Sequence, residues 1–550
     1  MAIKIEHSLL TQIRERISSG LKRKAITKCS SWSEQYRIMG QPFPGKWTFK
    51  HHPWLRDMHD CTAELVIGQK SAQMGFTETA LNKVFFNIDI KGVSCLYILP
   101  SEKPDASDFS TSRFDPALDA SDHLRNLFSD VRNIGHKRAG TANLFVRGSR
   151  SRSQMKSIPV GSITYDELDE MQQENISLAH ERVSGQLEHQ EFMLSTPTIQ
   201  GVGINKYFIN SSQNHFFFKC PCCGQLTELI FPDCLRIFAD HENDKRLNDT
   251  LLVCKECDGV LHHEDKINFL KEGIWVPSYT DRDSVGYYVN QLYSMTVKPK
   301  EIALSYIRAQ FDPSDEQELY NSKLGIPHEV KGARVADADF NNCEKDYVKV
   351  DGGKGFITMG VDVGKFLHYE IDSWSVNNVA STDLSIMARP HMITEGTVVD
   401  FEELDILMKR YNISFCVIDA NPERRKASEF ARRFRGRVRM CFYGSAAKGK
   451  EITVHTEDEA TITVDRTSWL DLSIGRFKNA SITVPKDLSL EYKKHIKALV
   501  RIYEKDSLGN HVGRYVNSGD DHFGHARNYA EIALPLGAQL GQSQNVSGVM

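Results

Sequence analysis

The residues Leu65-Val66-Ile67 run straight into Gly68-Gln69-Lys70-Ser71-Ala72-Gln73-Met74-Gly75-Phe76-Thr77, and helical text begins at about Glu78. A strand that feeds a helix N-terminus through a short glycine-bearing loop belongs in an α/β sheet with crossover helices. From about Trp47 to Phe218, apolar strands alternate with helical stretches as such a sheet requires. The loop is also an anion site, because the first amides of the helix lack intrahelical partners and point outward. Gly75 lets the backbone approach a phosphate closely, and Thr77 offers the hydroxyl that such loops place on magnesium. The lysine usual before that hydroxyl is replaced by Phe76, so Lys70, at the start of the loop, is the cation left to serve.

Two later strands extend this site. Ser162-Ile163-Thr164-Tyr165 leads into Asp166-Glu167-Leu168-Asp169-Glu170. A strand ending in Asp-Glu supplies one carboxylate to hold magnesium and a second to polarise the attacking water. An acidic helix start would also put carboxylates there. Phe192-Met193-Leu194 then ends in Ser195-Thr196-Pro197, where small hydroxyls can sense a γ-phosphate.

The chain has 550 residues, too many for one ordinary core, so two domains are expected. Residues 1–46 read as a helical arm, with Leu9, Leu10, Ile13, Ile17 and Leu21 on one face and the basic run Lys22-Arg23-Lys24 behind them. The nucleotide-binding domain is expected over 47–329, with a cysteine-bearing insert at about 220–276. A linker follows over 330–355, rich in charge and glycine; a second α/β domain spans 356–535, and 536–550 has the composition of a flexible tail. No run of about 18 apolar residues occurs, so no membrane span is expected, and the protein is placed in the cytoplasm. A net charge of -4 rules out a polycation but not a local nucleic-acid surface.

Cys220-Pro221-Cys222-Cys223-Gly224 and Cys254-Lys255-Glu256-Cys257 form two C-x-x-C knuckles. Cys220, Cys223, Cys254 and Cys257 suit a closed tetrahedral zinc site, whose role is structural. Cys222 is then a spare thiol, and His262 and His263 are not needed in the shell.

The second half carries aspartates at strand ends. Ile357-Thr358-Met359-Gly360-Val361 runs into Asp362, Phe415-Cys416-Val417-Ile418 ends at Asp419, and Gly519-Asp520-Asp521-His522 opens a late helical run. Alone, each is an ordinary cap or turn residue. Together, Asp362, Asp419 and Asp521 can converge on two divalent ions about 3.5–4 Å apart, the arrangement that cuts a phosphodiester. Asp520 is an alternative to Asp521, Glu370 and Asp372 are candidate auxiliary acids, and His525 is free to ligate, contact phosphate or pack. The run Arg424, Arg425, Arg432, Arg433, Arg435, Arg437 and Arg439 is either a solvated helix face or a track for DNA phosphates, and its place just after Asp419 favours the track.

Lys-Ser-Ala-Gln-Met-Gly-Phe-Thr, Asp-Glu-Leu-Asp and Leu-Ser-Thr-Pro-Thr, in that order, resemble the ATPase half of phage terminase large subunits, closest to the lambda-like branch, where the loop lysine sits early and cysteine inserts are also found. The order of Asp362, Asp419 and Asp521 resembles the ribonuclease H-like fold of terminase nucleases. The resemblance implies an N-terminal P-loop ATPase sheet with a zinc-stapled insert and a C-terminal ribonuclease H-like nuclease. It implies Lys70, Gln73, Gly75 and Thr77 on the phosphates of ATP, Asp166 on magnesium, Glu167 as catalytic carboxylate and Ser195-Thr196 as coupling element. An arginine finger is implied too, with Arg147, Arg150 and Arg152 as candidates. It further implies magnesium or manganese at the nuclease, zinc at the cysteines, and double-stranded DNA, a small subunit, a portal and a homo-oligomeric ring as partners. Two other readings compete. One is a helicase-like ATPase with a non-catalytic C-terminal domain; the other is a zinc-stapled virion protein with a decayed nucleotide site.

Overall fold

Five of the six residues of Leu65–Lys70 (β1) are buried, the pattern of a strand covered on both faces. The protein is described by a computed structural model that covers residue 14 and residues 26–152, 158–350, 355–375, 388–444, 447, 449–455, 458, 460–505 and 510–546, with backbone alone from 539. The chain divides into two compact units, Met1–Glu329 and Val330–Met550.

In the first unit, β1 is joined by Cys95–Leu99 (β2), Ala142–Gly148 (β3), Ser162–Asp166 (β4), Gln190–Ser195 (β5), Asn214–Lys219 (β6) and Val285–Val289 (β7). They run parallel in the order β6-β7-β1-β5-β4-β2-β3, and short antiparallel strands extend both edges. Successive strand residues serve opposite faces. Val66, Cys95 and Tyr97 join one core with Phe76, Phe85 and Phe114, whereas Ile67, Leu96 and Ile98 join another with Tyr165, Leu168 and Phe208. The strand carrying Ser195 therefore lies between the loop strand and the Asp166 strand, and all three end at one edge of the sheet. Helix Phe76–Phe86 (α1) starts two residues earlier than its text suggests.

In the second unit, Phe356–Val363 (β8), Leu367–Ser375 (β9) and Arg389–Val398 (β10) form an antiparallel meander. Phe415–Asp419 (β11), Val438–Tyr443 (β12), Ile452–Val454 (β13) and Thr461–Val464 (β14) complete the order β10-β9-β8-β11-β12-β14-β13. Helix His522–Val546 crosses this sheet, and its backbone rests on Gly360: a Cβ there would meet Ala526 O at 2.0 Å and Ala530 N at 2.2 Å.

Two expected segments differ from the text, and a third lies almost wholly outside the described residues. Within 330–355 lie helix Asp337–Cys343 and strand Glu344–Lys345, which pairs with Val484–Pro485. Val335, Phe340 and Cys343 are buried there against Phe477 and Tyr492, so a few apolar residues among many charges dock this stretch onto the second unit. The expected tail is helical from 536 to Val546, its start anchored by Leu536 in a core with Phe415 and Trp469. The N-terminal amphipathic helix lies outside the described residues except for Arg14, which is helical.

Candidate active sites

The phosphate loop is shaped by backbone that most side chains avoid. Gln73 (φ 60°), Gly75 (φ 86°) and Glu167 (φ 59°) are all left-handed, a region that L residues occupy at a cost of roughly 1–2 kcal/mol. A Cβ at Gly75 would also stand 2.6 Å from Leu55 Cδ1 and force that side chain to shift. Gln73 is exposed at the tip of the loop.

Lys70, Thr77, Asp166 and Glu167 meet in one network. Lys70 Nζ donates to Glu167 Oε1 at 3.0 Å; Asp166 accepts from Tyr97 Oη at 2.6 Å and from Thr77 Oγ1 at 3.4 Å. Burial raises the Asp166 carboxyl to about 6, with the Glu167 charge adding to the effect. Burial alone would lower the Lys70 ammonium, but Glu167 and Asp166 outweigh it and hold it above the usual lysine value. A buried carboxylate of this kind is poised to gain a cation. A cleft of about 370 Å³ opens beside Glu167, walled by Asp105, Asp108, Phe109 and Glu170; its acidic wall suits no phosphate, which leaves the Lys70 side for that group.

Asp169 was only part of a motif in the sequence, yet it joins the strands. Its carboxylate accepts from Thr198 N at 2.8 Å, Thr198 Oγ1 at 2.7 Å and Ile204 N at 2.7 Å, and its amide donates to Ser195 Oγ at 3.2 Å. These bonds tie the Glu167 turn to the segment after Ser195. Of the arginine candidates, Arg147 donates to Gly135 O at 2.6 Å and Val146 O at 2.9 Å, while Arg150 and Arg152 are exposed.

The four insert thiols Cys220, Cys223, Cys254 and Cys257 lie within 4.8 Å of one another. Both knuckles turn alike: Gly224 N donates to Cys220 O and Asp258 N to Cys254 O, each at 2.9 Å. The amides of Cys222 and Glu256 approach Cys220 Sγ and Cys254 Sγ at 3.4 Å, a stabilisation that thiolates need. Zinc bonds of about 2.3 Å would fit the group after a small contraction. The Cys222 thiol lies against Val260 O at 3.6 Å instead.

In the second unit, Val361 pairs in parallel with Ile418, so Asp362 and Asp419 leave adjacent strand ends side by side. Asp521 directly precedes the last helix and is 9% exposed, while Asp520 is exposed. Burial raises Asp419 to about 6, helped by the Asp362 charge and opposed by the Asn421 amide. Burial would also raise Asp521, but His525 and Arg466 hold it below the ordinary carboxylate value; His525 Nε2 is 3.3 Å away. Tyr443 Oη in turn hydrogen-bonds His525 Nδ1 at 3.0 Å, so His525 orients Asp521. His522 was passed over in the sequence, though it adjoins Asp521: its Nδ1 donates to Asp362 Oδ2 at 2.8 Å.

Glu370 and Asp372 are not auxiliary acids. Both are fully buried, and Arg527 pairs with them, at 2.9 Å to Glu370 and closely to Asp372. Tyr492 donates to Glu370 at 2.7 Å, and Arg476 and Arg527 share Glu531. Period-two alternation puts these acids on the inner face of β9, where Arg527 from the last helix offsets their charge. In the arginine run, Arg433 pairs with Asp405 at 2.7 Å and Arg425 with Glu429 at 3.3 Å, while Arg437 donates to Ile413 O and Arg439 to Val438 O, each at 3.3 Å; all but Arg439 are exposed.

Comparison with known proteins gives two family matches. Residues 41–275 match the ATPase domain of phage terminase large subunit gpA, and residues 284–491 match the gpA endonuclease domain. Asp362 and Asp419 fall inside the second match and Asp521 beyond it. Among solved structures, the HK97 bacteriophage large terminase is 8% identical over 93% of this chain and 99% of its own, with a TM-score of 0.49. The large terminase of the thermophilic bacteriophage D6E is 10% identical over 86% of this chain and 94% of its own, with a TM-score of 0.30. No curated protein matches.

Proposed function

Since the chain belongs to the phage terminase large subunits, an ATPase joined to an endonuclease, we propose that Lys70, Gln73, Gly75 and Thr77 hold the phosphates of ATP, with Asp166 on its magnesium and Glu167 as the catalytic carboxylate. The Lys70–Glu167 ion pair supports these roles. A γ-phosphate is a stronger partner for the ammonium than a carboxylate is, so its arrival frees Glu167 to orient the attacking water. Loss of that phosphate restores the pair, and Asp169 carries the movement of the Glu167 turn to Thr198 and Ile204.

At the nuclease, Asp362, Asp419 and Asp521 bring hard oxygen donors from three elements to one end of a sheet, a set that fits divalent ions. Magnesium or manganese held there would supply an activated water and stabilise the departing 3′ oxygen. The chain's own part is to fix the carboxylates: His522 holds Asp362, the Asn421 amide holds Asp419, and His525 with Arg466 holds Asp521. DNA phosphates would lie along Arg424, Arg425, Arg432 and Arg435. We assign structural zinc to the four cysteines, and a small subunit, a portal and a ring of copies in the host cytoplasm as the working partners and place.

The adjacent strand ends of Asp362 and Asp419, with Asp521 next to the histidine that hydrogen-bonds Asp362, support the nuclease assignment, and cleavage of supercoiled plasmid tests it. Wild type should nick and linearise the plasmid with manganese or magnesium, and Asp362→Ala should not. Equal cleavage by both would remove Asp362 from the site. A helicase-like ATPase with a silent second domain would give ATP turnover and no cleavage with either metal.

A further inference from the structure

One cluster of metal-ligand side chains adds two residues that neither site uses, Glu491 and His495, to a histidine, His368, that also lies within 4.8 Å of Asp362 and His522. Glu491 and His495 stand one turn apart on the helix Leu490–Ala498, with His495 Nε2 3.9 Å from Glu491 Oε1. His368 faces them from β9, and the donor atoms of all three lie within 4.8 Å of one another. His368 is 4% exposed, and its Nδ1 is buried with no hydrogen-bond partner. Buried ring nitrogens are normally satisfied, so an orphan beside two further ligand groups asks for an occupant.

Ring geometry says which histidines can share one. An imidazole lone pair lies in the ring plane, so two rings can bind a single ion only if their planes converge. His368 and His495 have centroids 5.5 Å apart and planes inclined by 53°. Two imidazoles on one tetrahedral ion stand roughly 5 Å apart, each bond to the metal being about 2 Å. His522 lies flat over His368, at 4.6 Å and 14°, and its lone pair runs parallel to that of His368.

We propose that His368, His495 and Glu491 form a cation site for a borderline transition metal of the zinc or cobalt class, next to the aspartate centre, with His368 on the border between the two. Two imidazoles and one carboxylate suit such ions, whereas magnesium and calcium favour all-oxygen sets. The Glu491 side chain is 59% exposed, which leaves a way in and room for water as a further ligand. His495 Nδ1 accepts the Phe523 amide at 3.5 Å; ligation through Nε2 moves the ring proton to Nδ1 and gives up that long bond. The ion ties the helix Leu490–Ala498 to β9 and fixes His368 beneath His522, which holds Asp362. This positioning role rests on the nuclease reading of Asp362; the binding does not.

The test is metal content of the full-length chain after loading with zinc and dialysis against metal-free buffer, read by elemental analysis, with cobalt absorption as a second measure. His495→Gln and Glu491→Gln should each retain about one equivalent less zinc than wild type, and lose a weak cobalt band that lacks thiolate charge transfer. Asp362→Asn should keep that equivalent. Unchanged zinc and cobalt in His495→Gln and Glu491→Gln overturns the site, as does its loss from Asp362→Asn, which would assign the ion to the aspartate centre. A zinc difference that persists in protein unable to cut plasmid would sustain this site while removing the nuclease reading.

Discussion

Glu167 lies at φ 59° and is tied to Lys70, so its backbone strain aims the carboxylate at the phosphate loop. Glu167→Gln keeps the shape and removes the base. Phosphate release should fall by about 10²–10⁴-fold while ATP affinity, read by equilibrium titration, stays within a few-fold of wild type. Asp419 makes a pH prediction. Its carboxyl sits at about 6 against 3.8 for an ordinary aspartate, raised first by burial. The folded state therefore binds the extra proton between those values; the stabilisation is complete below the lower value and is lost as pH rises through the upper one. At pH 7.5 without divalent ions, Asp419→Asn should melt higher than wild type, by at most about 3 kcal/mol of stability. At pH 4 the two should melt alike, and the variant should not cut DNA at any pH. Lys70, Asp166, Asp362 and Asp419 stand out in the sequence because each sits at a strand end with a local pattern, and Asp521 because it opens a helix. Tyr97, Asp169 and His522 do not, since what gives them a role is a partner 69, 29 or 160 residues away.

Elements set what those residues can reach. The last helix brings Asp521 and His522 to the aspartate centre only because its backbone lies on Gly360. Gly360→Ala must push helix and strand apart. It should reduce plasmid cleavage by more than about tenfold, through misplacement on the order of 1 Å, and leave ATP turnover at the wild-type rate. A variant cutting at the wild-type rate would show that the helix does not set the geometry. The parallel sheet and the strand-end aspartates could be read from runs of apolar residues. The helix Asp337–Cys343 could not, because its text, Asp-Ala-Asp-Phe-Asn-Asn-Cys, has two apolar anchors whose burial depends on Phe477 and Tyr492, far along the chain. The cysteine insert lies between these cases: its knuckles are plain in sequence, but Phe218, Leu229, Leu252 and Leu261 also join the main core. Its internal strands have two residues each and its four-residue strand Ile274–Pro277 pairs outside it, so it has little ladder of its own. Cys254→Ser should therefore lower the melting temperature by more than about 5 °C, and added zinc should not restore it.

Across the whole molecule, the side chains proposed for the nucleotide network fall before Glu329 and the proposed nuclease ligands after Val330, so their chemistries should separate cleanly. Asp362→Ala should abolish cleavage and leave ATP hydrolysis unchanged. Glu167→Gln should abolish hydrolysis and leave cleavage of purified plasmid intact, since cutting a phosphodiester needs no nucleotide energy. Assaying both activities on both variants decides the matter. If Glu167→Gln also silences the nuclease, cutting is gated by the nucleotide state, and the Asp169–Thr198 contacts are then the first to test, through Asp169→Asn. That substitution presents an amide donor to a site that now accepts from three donors, and would uncouple the Glu167 turn without altering the phosphate loop.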